Sequence, residues 1–288
     1  MDLDVNIRNI AFFSNKKITN YKVLSKSFGM ICEKIETKSS GSFVIKRNLD
    51  KNKMYDSLKY ETKSLIYMKN LFPKIFPKIY YHKKDLLVMN YIEHDNIKDK
   101  NFEKELAENI SAIHSVNNDR YGFNFDTPIG GLKQPSEYSD NWVDFYRENR
   151  LGMIFNQICF SNPMPNSVNK KIDKILTNLE NFIPKNPIPS LIHGDLWEGN
   201  IFYNKGRLVG LIDPGIYFAH KELEISYLTW FKLVTKKFLV HYSEKHEIDK
   251  NYPEYEPIYQ LYFSLLNVHL WSRDYINDAK SLVDKIYK

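Results

Sequence analysis

Cysteine is almost missing from the chain: Cys32 and Cys159 are the only two in 288 residues. That excludes a disulfide framework, and the lack of any Cys-x-x-Cys or Cys/His ligand spacing speaks against structural zinc and for a reducing compartment. Long apolar runs are missing too. No stretch reaches membrane-spanning length, and the apolar cluster Ile10–Phe13, in an N-terminal segment that starts acidic, is too short for the core of a signal peptide. Nor is there a basic tract, although the formal charge is +6: the 41 basic and 35 acidic residues are interspersed. This pattern excludes a dedicated nucleic-acid surface and leaves a mildly cationic exterior that tolerates an anionic ligand such as a nucleotide phosphate. No internal repeat is visible, and the last segment is expected to pack as amphipathic helix and not to form a disordered appendage. The expectation is a soluble, cytoplasmic protein with neither membrane nor nucleic-acid partner, and its oligomeric state is open.

What the chain does have is core-forming material, 43% hydrophobic and 15% aromatic, enough for one large domain or two. The segments "YKVLSKSFGMICEKIET" and "SGSFVIKRN" read as antiparallel strands flanking a turn at Lys38-Ser39-Ser40-Gly41. A helix follows in "MYDSLKYETKSLIYMKNLF", capped by Asp56 and stopped before Pro73, with Leu58, Leu65 and Ile66 on one face. Glu61 falls on that same face, and an inward carboxylate needs a cation. After the continuous apolar strand "DLLVMNYIE" the sequence becomes mainly helical, beginning with "FEKELAENISAIHSV", where Leu106, Ala107, Ile110 and Ile113 share a face. The Gly/Pro-bearing "FDTPIGGLKQPSEY" reads as a loop, "NWVDFYRENRLGMIFNQI" as helix, and the C-terminal segment as one or two amphipathic helices. The fold class is α+β: a small N-terminal antiparallel-sheet lobe with one helix over residues 1–93, and a larger, mainly helical lobe over residues 94–288 interrupted by one hairpin.

That hairpin carries the chemistry. In "LIHGDLWEGNIFYNKGRLVGLIDP", a turn at residues 204–207 pairs Tyr203 with Leu208, places Asn200 opposite Leu211, and brings Asn200 and Asp213 to the hairpin mouth. An amide oxygen and a carboxylate converging there form a hard oxygen site suited to Mg2+. Asp195 lies on the loop leading in. The spacing from Asp195 to Asn200 and on to Asp213 reproduces the kinase order of catalytic-loop Asp, metal-binding Asn and second metal-binding Asp. Lys46 on "FVIKRN" and Glu61 on the next helix have the types and order of the kinase ion pair that orients nucleotide phosphates. The bland alternative is a loop cap, two turn residues and two solvated charges, and the matched order outweighs it. Trp197, two residues past Asp195, is placed to stack on a sugar or a cationic acceptor. His193 and His114 read as structural histidines.

The stretches "HGDLWEGN" and "LIDPGIYFAHKELEIS", with "YGFNFDTPIGGLKQPSEYSDNWVDFYRENRL" at residues 121–151, resemble the fructosamine kinase (ketosamine 3-kinase) family, a branch of the aminoglycoside-phosphotransferase-like kinases. The resemblance implies a two-lobed protein-kinase-like fold and ATP- and Mg2+-dependent phosphorylation of the 3-hydroxyl of a ketosamine, a small-molecule sugar adduct on an amine. Asp195 would be the catalytic residue and Asn200 and Asp213 the metal ligands. Lys46, Glu61, Gly29 and the interlobe residues Met89, Asn90, Tyr91 and Ile92 would contact the nucleotide, and Trp197, Gln134 and His269 the acceptor. Two departures stand out. Ser136 occupies the position two after Gln134 where the family usually has asparagine, and the phosphate-covering loop "LSKSFGMICEK" holds a single glycine, Gly29. Cys32 beside that loop reads as a small packed residue, with a redox role as the alternative. Other readings of the same chain are a kinase of a different small alcohol, such as an aminoglycoside, choline or a sugar metabolite, and a catalytically silent nucleotide-binding module.

Overall fold

The computed structural model describes Ile7, residues 10–49 and residues 55–287. Strands β1 (Ile18–Ser27), β2 (Met30–Thr37) and β3 (Gly41–Asn48) form the antiparallel meander the turn signals predict. The β1–β2 turn consists of Phe28 and Gly29 at φ 50° and 71°, the mirror-image turn whose twist matches its flanking strands. β3 is central, so Phe43 to Lys46 are all buried. It pairs next with β5 (Leu86–Asn90), and β4 (Ile79–Lys83) completes the order β1-β2-β3-β5-β4. β4 was not foreseen, because "IYYHK" sits among lysines and lacks a clear apolar alternation.

Helix α1 (Ser57–Leu71) starts where its cap predicts: the Asp56 carboxylate accepts the Lys59 amide at 3.0 Å. Leu58, Glu61, Leu65 and Met68 form its buried face. Ile66, expected on that face, is 40% exposed; it lies roughly 80° around the helix from Leu58, at the margin of the apolar stripe.

The chain divides into two compact units. The first comprises Met1–Asp99, Thr127–Lys133 and Asn200–Gly215, and the second Lys100–Asp126, Gln134–Gly199 and Ile216–Lys288. Ile7, Ile10, Phe13, Ile35, Phe43, Ile45 and Val88 form a core cluster in the first. The Gly/Pro segment predicted to be a loop is instead a small hairpin, β6 (Thr127–Ile129) and β7 (Leu132–Gln134), turning at Gly130 and Gly131. Gly131 is required there: its φ is +82°, and an added Cβ would come within 2.9 Å of Phe28 Cβ, so this turn packs against the β1–β2 tip.

In the second unit α2 (Phe102–His114) buries Leu106, Ala107, Ile110 and Ile113 as their spacing requires. α3 (Trp142–Tyr146) runs through a π-helical turn (Arg147–Leu151) into α4 (Gly152–Ser161), and α5 (Asn166–Thr177) follows. α6 (Glu222–Trp230), α7 (Lys236–Ser243), α8 (Tyr252–Leu270) and α9 (Ile276–Ile286) complete the unit. Its core is aromatic: the Trp142 indole donates to Tyr259 Oη at 2.9 Å, and Tyr146 packs edge-on to Tyr259. The single hairpin expected in the helical part is a simplification. β8 (Pro189–Ile192) pairs with β11 (Tyr217–His220), while β9 (Ile201–Asn204) pairs with β10 (Arg207–Leu211). Among the described residues no helix is long and apolar enough to cross a membrane.

Candidate active site

The first unit brings together three of the predicted residues. Lys46 on β3, 6% exposed, donates from Nζ to Glu61 Oε1 at 2.6 Å and also pairs with Asp213 Oδ1. Burial works against the charge on Lys46, but Asp213 and Glu61 outweigh it and hold the ammonium well above its ordinary range. Burial also raises the Glu61 carboxyl, up to about 7, against the pull of Lys46. Glu61 faces inward because α1 turns its apolar stripe to the sheet, and the cation it needs is Lys46.

Asn200 and Asp213 are set by the β9–β10 hairpin. Its two turn residues, Lys205 and Gly206, have φ 50° and 79°, and Asn204 faces Arg207 and Tyr203 faces Leu208 as expected. The predicted register then fails by one. An irregularity between Leu208 and Gly210 leaves Val209 without an opposite residue, so Leu211 faces Ile201 and not Asn200. Asn200 lies across from Ile212, whose amide donates to the Asn200 carbonyl at 3.1 Å. Asp213 follows at φ +56°, a left-handed conformation that aspartate tolerates better than most residues. Among the described residues no cluster of three or more His, Cys, Asp or Glu side chains could hold a metal. The amide oxygen of Asn200 and the carboxylate of Asp213 are the donor types taken by an ion that keeps several waters and few carboxylates.

Of the predicted nucleotide contacts, Gly29 lies at the β1–β2 tip, and its carbonyl accepts the Leu49 amide at 2.7 Å. Met89 is buried within β5, with 3% of its surface exposed. Asn90 accepts the Lys78 amide through Oδ1 at 2.5 Å. The Tyr91 amide donates to the Ser42 carbonyl at 3.0 Å, its ring lies 4.0 Å under the Lys34 ammonium, and Ile92 packs on Gly210.

Cys32 sits directly across the ladder from Lys46. Burial pushes its thiol up to about 11, so it is protonated at neutral pH and weakly nucleophilic. Iodoacetamide at pH 7.5 is expected to modify Cys32 slowly in the folded protein and rapidly after denaturation, as read by mass spectrometry. Fast native-state labelling at Cys32 would contradict the burial argument.

In the second unit, Asp195 follows β8 in the loop "HGDLWEG". Its Oδ1 accepts a hydrogen bond from Tyr227 Oη at 3.2 Å, and its amide donates to His193 Nδ1 at 3.3 Å. The loop backbone is held by Glu224 of α6, 1% exposed: Oε1 accepts the Gly194 amide at 2.6 Å and Oε2 the His193 amide at 3.1 Å. Glu224 Oε2 is also 3.1 Å from His114 Nε2, and His114 Nδ1 is 2.7 Å from the Tyr242 hydroxyl. Both histidines, read from the sequence as structural, are fully buried and bonded within this network. Burial raises the Glu224 carboxyl, but the His114 hydrogen bond and charge, then His193 and the Gly194 amide, bring it below the usual range.

Trp197 is 39% exposed, and its ring folds over Gly199, where any Cβ would collide with it. Gln134 is fully buried and accepts from Tyr262 Oη at 2.8 Å. Ser136, also fully buried, receives Arg150 Nη2 at 3.3 Å on its hydroxyl. Arg150 lies 3.7 Å over the Tyr217 ring and donates Nη1 to the Pro135 and Asn149 carbonyls at 2.7 and 2.6 Å. His269 is half-buried near the end of α8, and burial lowers its imidazole below the ordinary range. Sequence reasoning did not single out Glu224, Tyr227 or Arg150. A signal existed for Glu224, since "ELEISYLTW" puts two acids into an otherwise apolar helix, and a buried acid there must meet donors.

A probable ketoamine kinase of Pasteurella multocida is 27% identical over 216 residues, covering 74% of this chain and 73% of the relative. A second, from Vibrio cholerae, is 29% identical over 69% and 68%. The chloroplastic protein-ribulosamine 3-kinase of Arabidopsis thaliana is 26% identical over 69% and 60%. Among solved structures, a putative fructosamine-3-kinase from Thermobifida fusca superposes with a TM-score of 0.84 over 94% of both chains at 20% identity. An ADP-bound aminoglycoside phosphotransferase does so with 0.65 over 98% of both at 18% identity. The two structures share the α+β, kinase-like fold. With the fructosamine kinase family model matching residues 11–288, the chain belongs to the fructosamine kinase family and is a phosphotransferase.

Proposed function

We propose that the protein transfers the γ-phosphoryl group of ATP to the 3-hydroxyl of a ketosamine, giving a phosphate ester that decomposes and frees the amine. The observation that carries this reading is the buried lysine held by Glu61 and Asp213 in a chain of this family. The printed names of the relatives, ketoamine kinase and ribulosamine 3-kinase, support the acceptor class. In this reading residues 1–93 form the nucleotide-binding lobe and 94–288 the catalytic and substrate-binding lobe, and the enzyme works in the cytoplasm. Lys46, oriented by Glu61, positions the α- and β-phosphates, the Gly29 turn offers backbone amides to phosphate, and Met89 to Ile92 receive the base. Asn200 and Asp213 would hold Mg2+, which when bound offsets the phosphate charge. Asp195 orients the acceptor hydroxyl and takes its proton, while Trp197, Gln134 and His269 lie on the acceptor side. Positioning and charge stabilisation carry the rate.

An ADP-release screen tests it. A fructosyl amine is expected to show kcat/KM on the order of 10²-fold or more above free fructose or an aminoglycoside, since a site that hydrogen-bonds a substrate group rejects analogues lacking it. Trp197→Ala should raise the acceptor KM about fivefold, the equivalent of ~1 kcal/mol of lost stacking, and leave the ATP dependence unchanged. Turnover with a different alcohol and none with ketosamines would discard the acceptor and keep the phosphotransferase.

A further inference from the structure

Tyr227 is an unexpected neighbour for Asp195. It lies on α6, 5% exposed, with its ring stacked on Phe263 at 3.9 Å and 13° and tilted against Phe231 at 5.0 Å. Those contacts account for an aromatic ring and would be satisfied equally by phenylalanine. The hydroxyl adds something packing does not need: a polar atom taken into the interior, which costs stability unless it is bonded. Its bond is to Asp195 Oδ1 at 3.2 Å. We infer that Tyr227 is a positioning residue for Asp195, its phenol anchoring Oδ1 so that the carboxylate keeps the one orientation in which it meets the acceptor hydroxyl. This rests on the reading of Asp195 as the catalytic carboxylate.

The physical argument has two parts. The ring cannot swing, because Phe263 and Phe231 hold it, so the hydroxyl is a fixed donor aimed at one carboxylate oxygen. It is also a permanent donor: burial first, then the Asp195 charge, hold the phenol well above its ordinary range, so it does not ionise at working pH. The other titratable groups facing it are Tyr262 of α8 and Tyr275 between α8 and α9, and on the loop side His193 bonds the Asp195 amide. None of these supplies a second acid that would repel the carboxylate. A donor to a carboxylate stabilises its charged form, so removing the hydroxyl raises the pH at which Asp195 takes up a proton.

Tyr227→Phe separates the hydroxyl from the ring. The expected result is a kcat about tenfold lower with the ATP KM within twofold of wild type, as for loss of one hydrogen bond to a charged group. In protein with 13C-labelled aspartate carboxyls, the Asp195 titration midpoint should move up by about one pH unit, the corresponding shift for that bond. Tyr227→Leu, which also loses the stack, should show the same carboxyl shift on top of a lower melting temperature. An unchanged Asp195 midpoint in Tyr227→Phe, or a kcat within twofold of wild type, overturns the inference. Asp195→Asn measured in parallel keeps the two claims apart. Full turnover in Asp195→Asn removes Asp195 from catalysis. Lost turnover in Asp195→Asn beside an unaltered Tyr227→Phe overturns the tyrosine's role alone.

Discussion

Asp195→Asn is expected to lose phosphotransfer by roughly 10²-fold or more while still binding nucleotide, the range for removing a positioned acid/base group. The amide is isosteric and can still accept the Tyr227 hydroxyl through its oxygen, so the loop should hold its shape and the deficit should lie in kcat. Asp213→Ala should behave differently. Asp213 is one of two carboxylates on Lys46, and it is also the proposed metal ligand, so its loss should weaken Mg·ATP binding as well as turnover. Nucleotide affinity by calorimetry and turnover by ADP release distinguish the two variants. Equal effects on nucleotide affinity would refute separate roles for them.

The largest effect on stability should come from Glu224→Ala. It would leave the buried His193 and Gly194 amides and His114 Nε2 without their shared partner. Breaking such a buried charged network costs about 3–5 kcal/mol, a fall in Tm on the order of 10 °C for a chain of this size. Glu224→Gln keeps one acceptor oxygen and should lose less. The pH dependence follows from the depressed Glu224 carboxyl. A group whose folded pKa lies below its unfolded value contributes stability that is fully present above the unfolded pKa, about 4.3 for glutamate, and is lost as pH falls through the folded pKa. The stability gap between wild type and Glu224→Gln, from denaturant melts, should therefore be constant from pH 7 to 5 and close below about pH 4. A gap that stays open in acid would mean that ionised Glu224 is not what holds the loop.

Legibility in the sequence followed the range of the interaction. The Asp56 cap, the inward turn of Glu61 and the Lys205–Gly206 turn are local patterns, and each appears where its spacing puts it. β11 was invisible because "YFAH" gains its meaning only from β8, whose last residue, Ile192, precedes Tyr217 by 25 positions and pairs with it directly. The irregularity at Val209 leaves no mark in composition, so a register counted from the turn drifts by one before it reaches Asn200. Lys46 and Glu61 could be named as a pair from their order, whereas the second carboxylate on Lys46 needed the folded hairpin. The π-helical turn that carries Arg150 likewise depends on packing that no periodicity encodes.

The two bonds on Lys46 differ in loop length. Glu61 is 15 residues away and Asp213 is 167, and the unit that contains them is stitched from three separated stretches of chain. During vectorial synthesis the lysine meets its first carboxylate early, and the unit stays unfinished until residues 200–215 leave the ribosome. Late closure of so long a loop raises contact order and slows this step relative to the local pairs. Nascent chains stalled before the hairpin should carry a sheet whose central ammonium has one carboxylate partner instead of two, and whose unit still lacks its last stretch of chain.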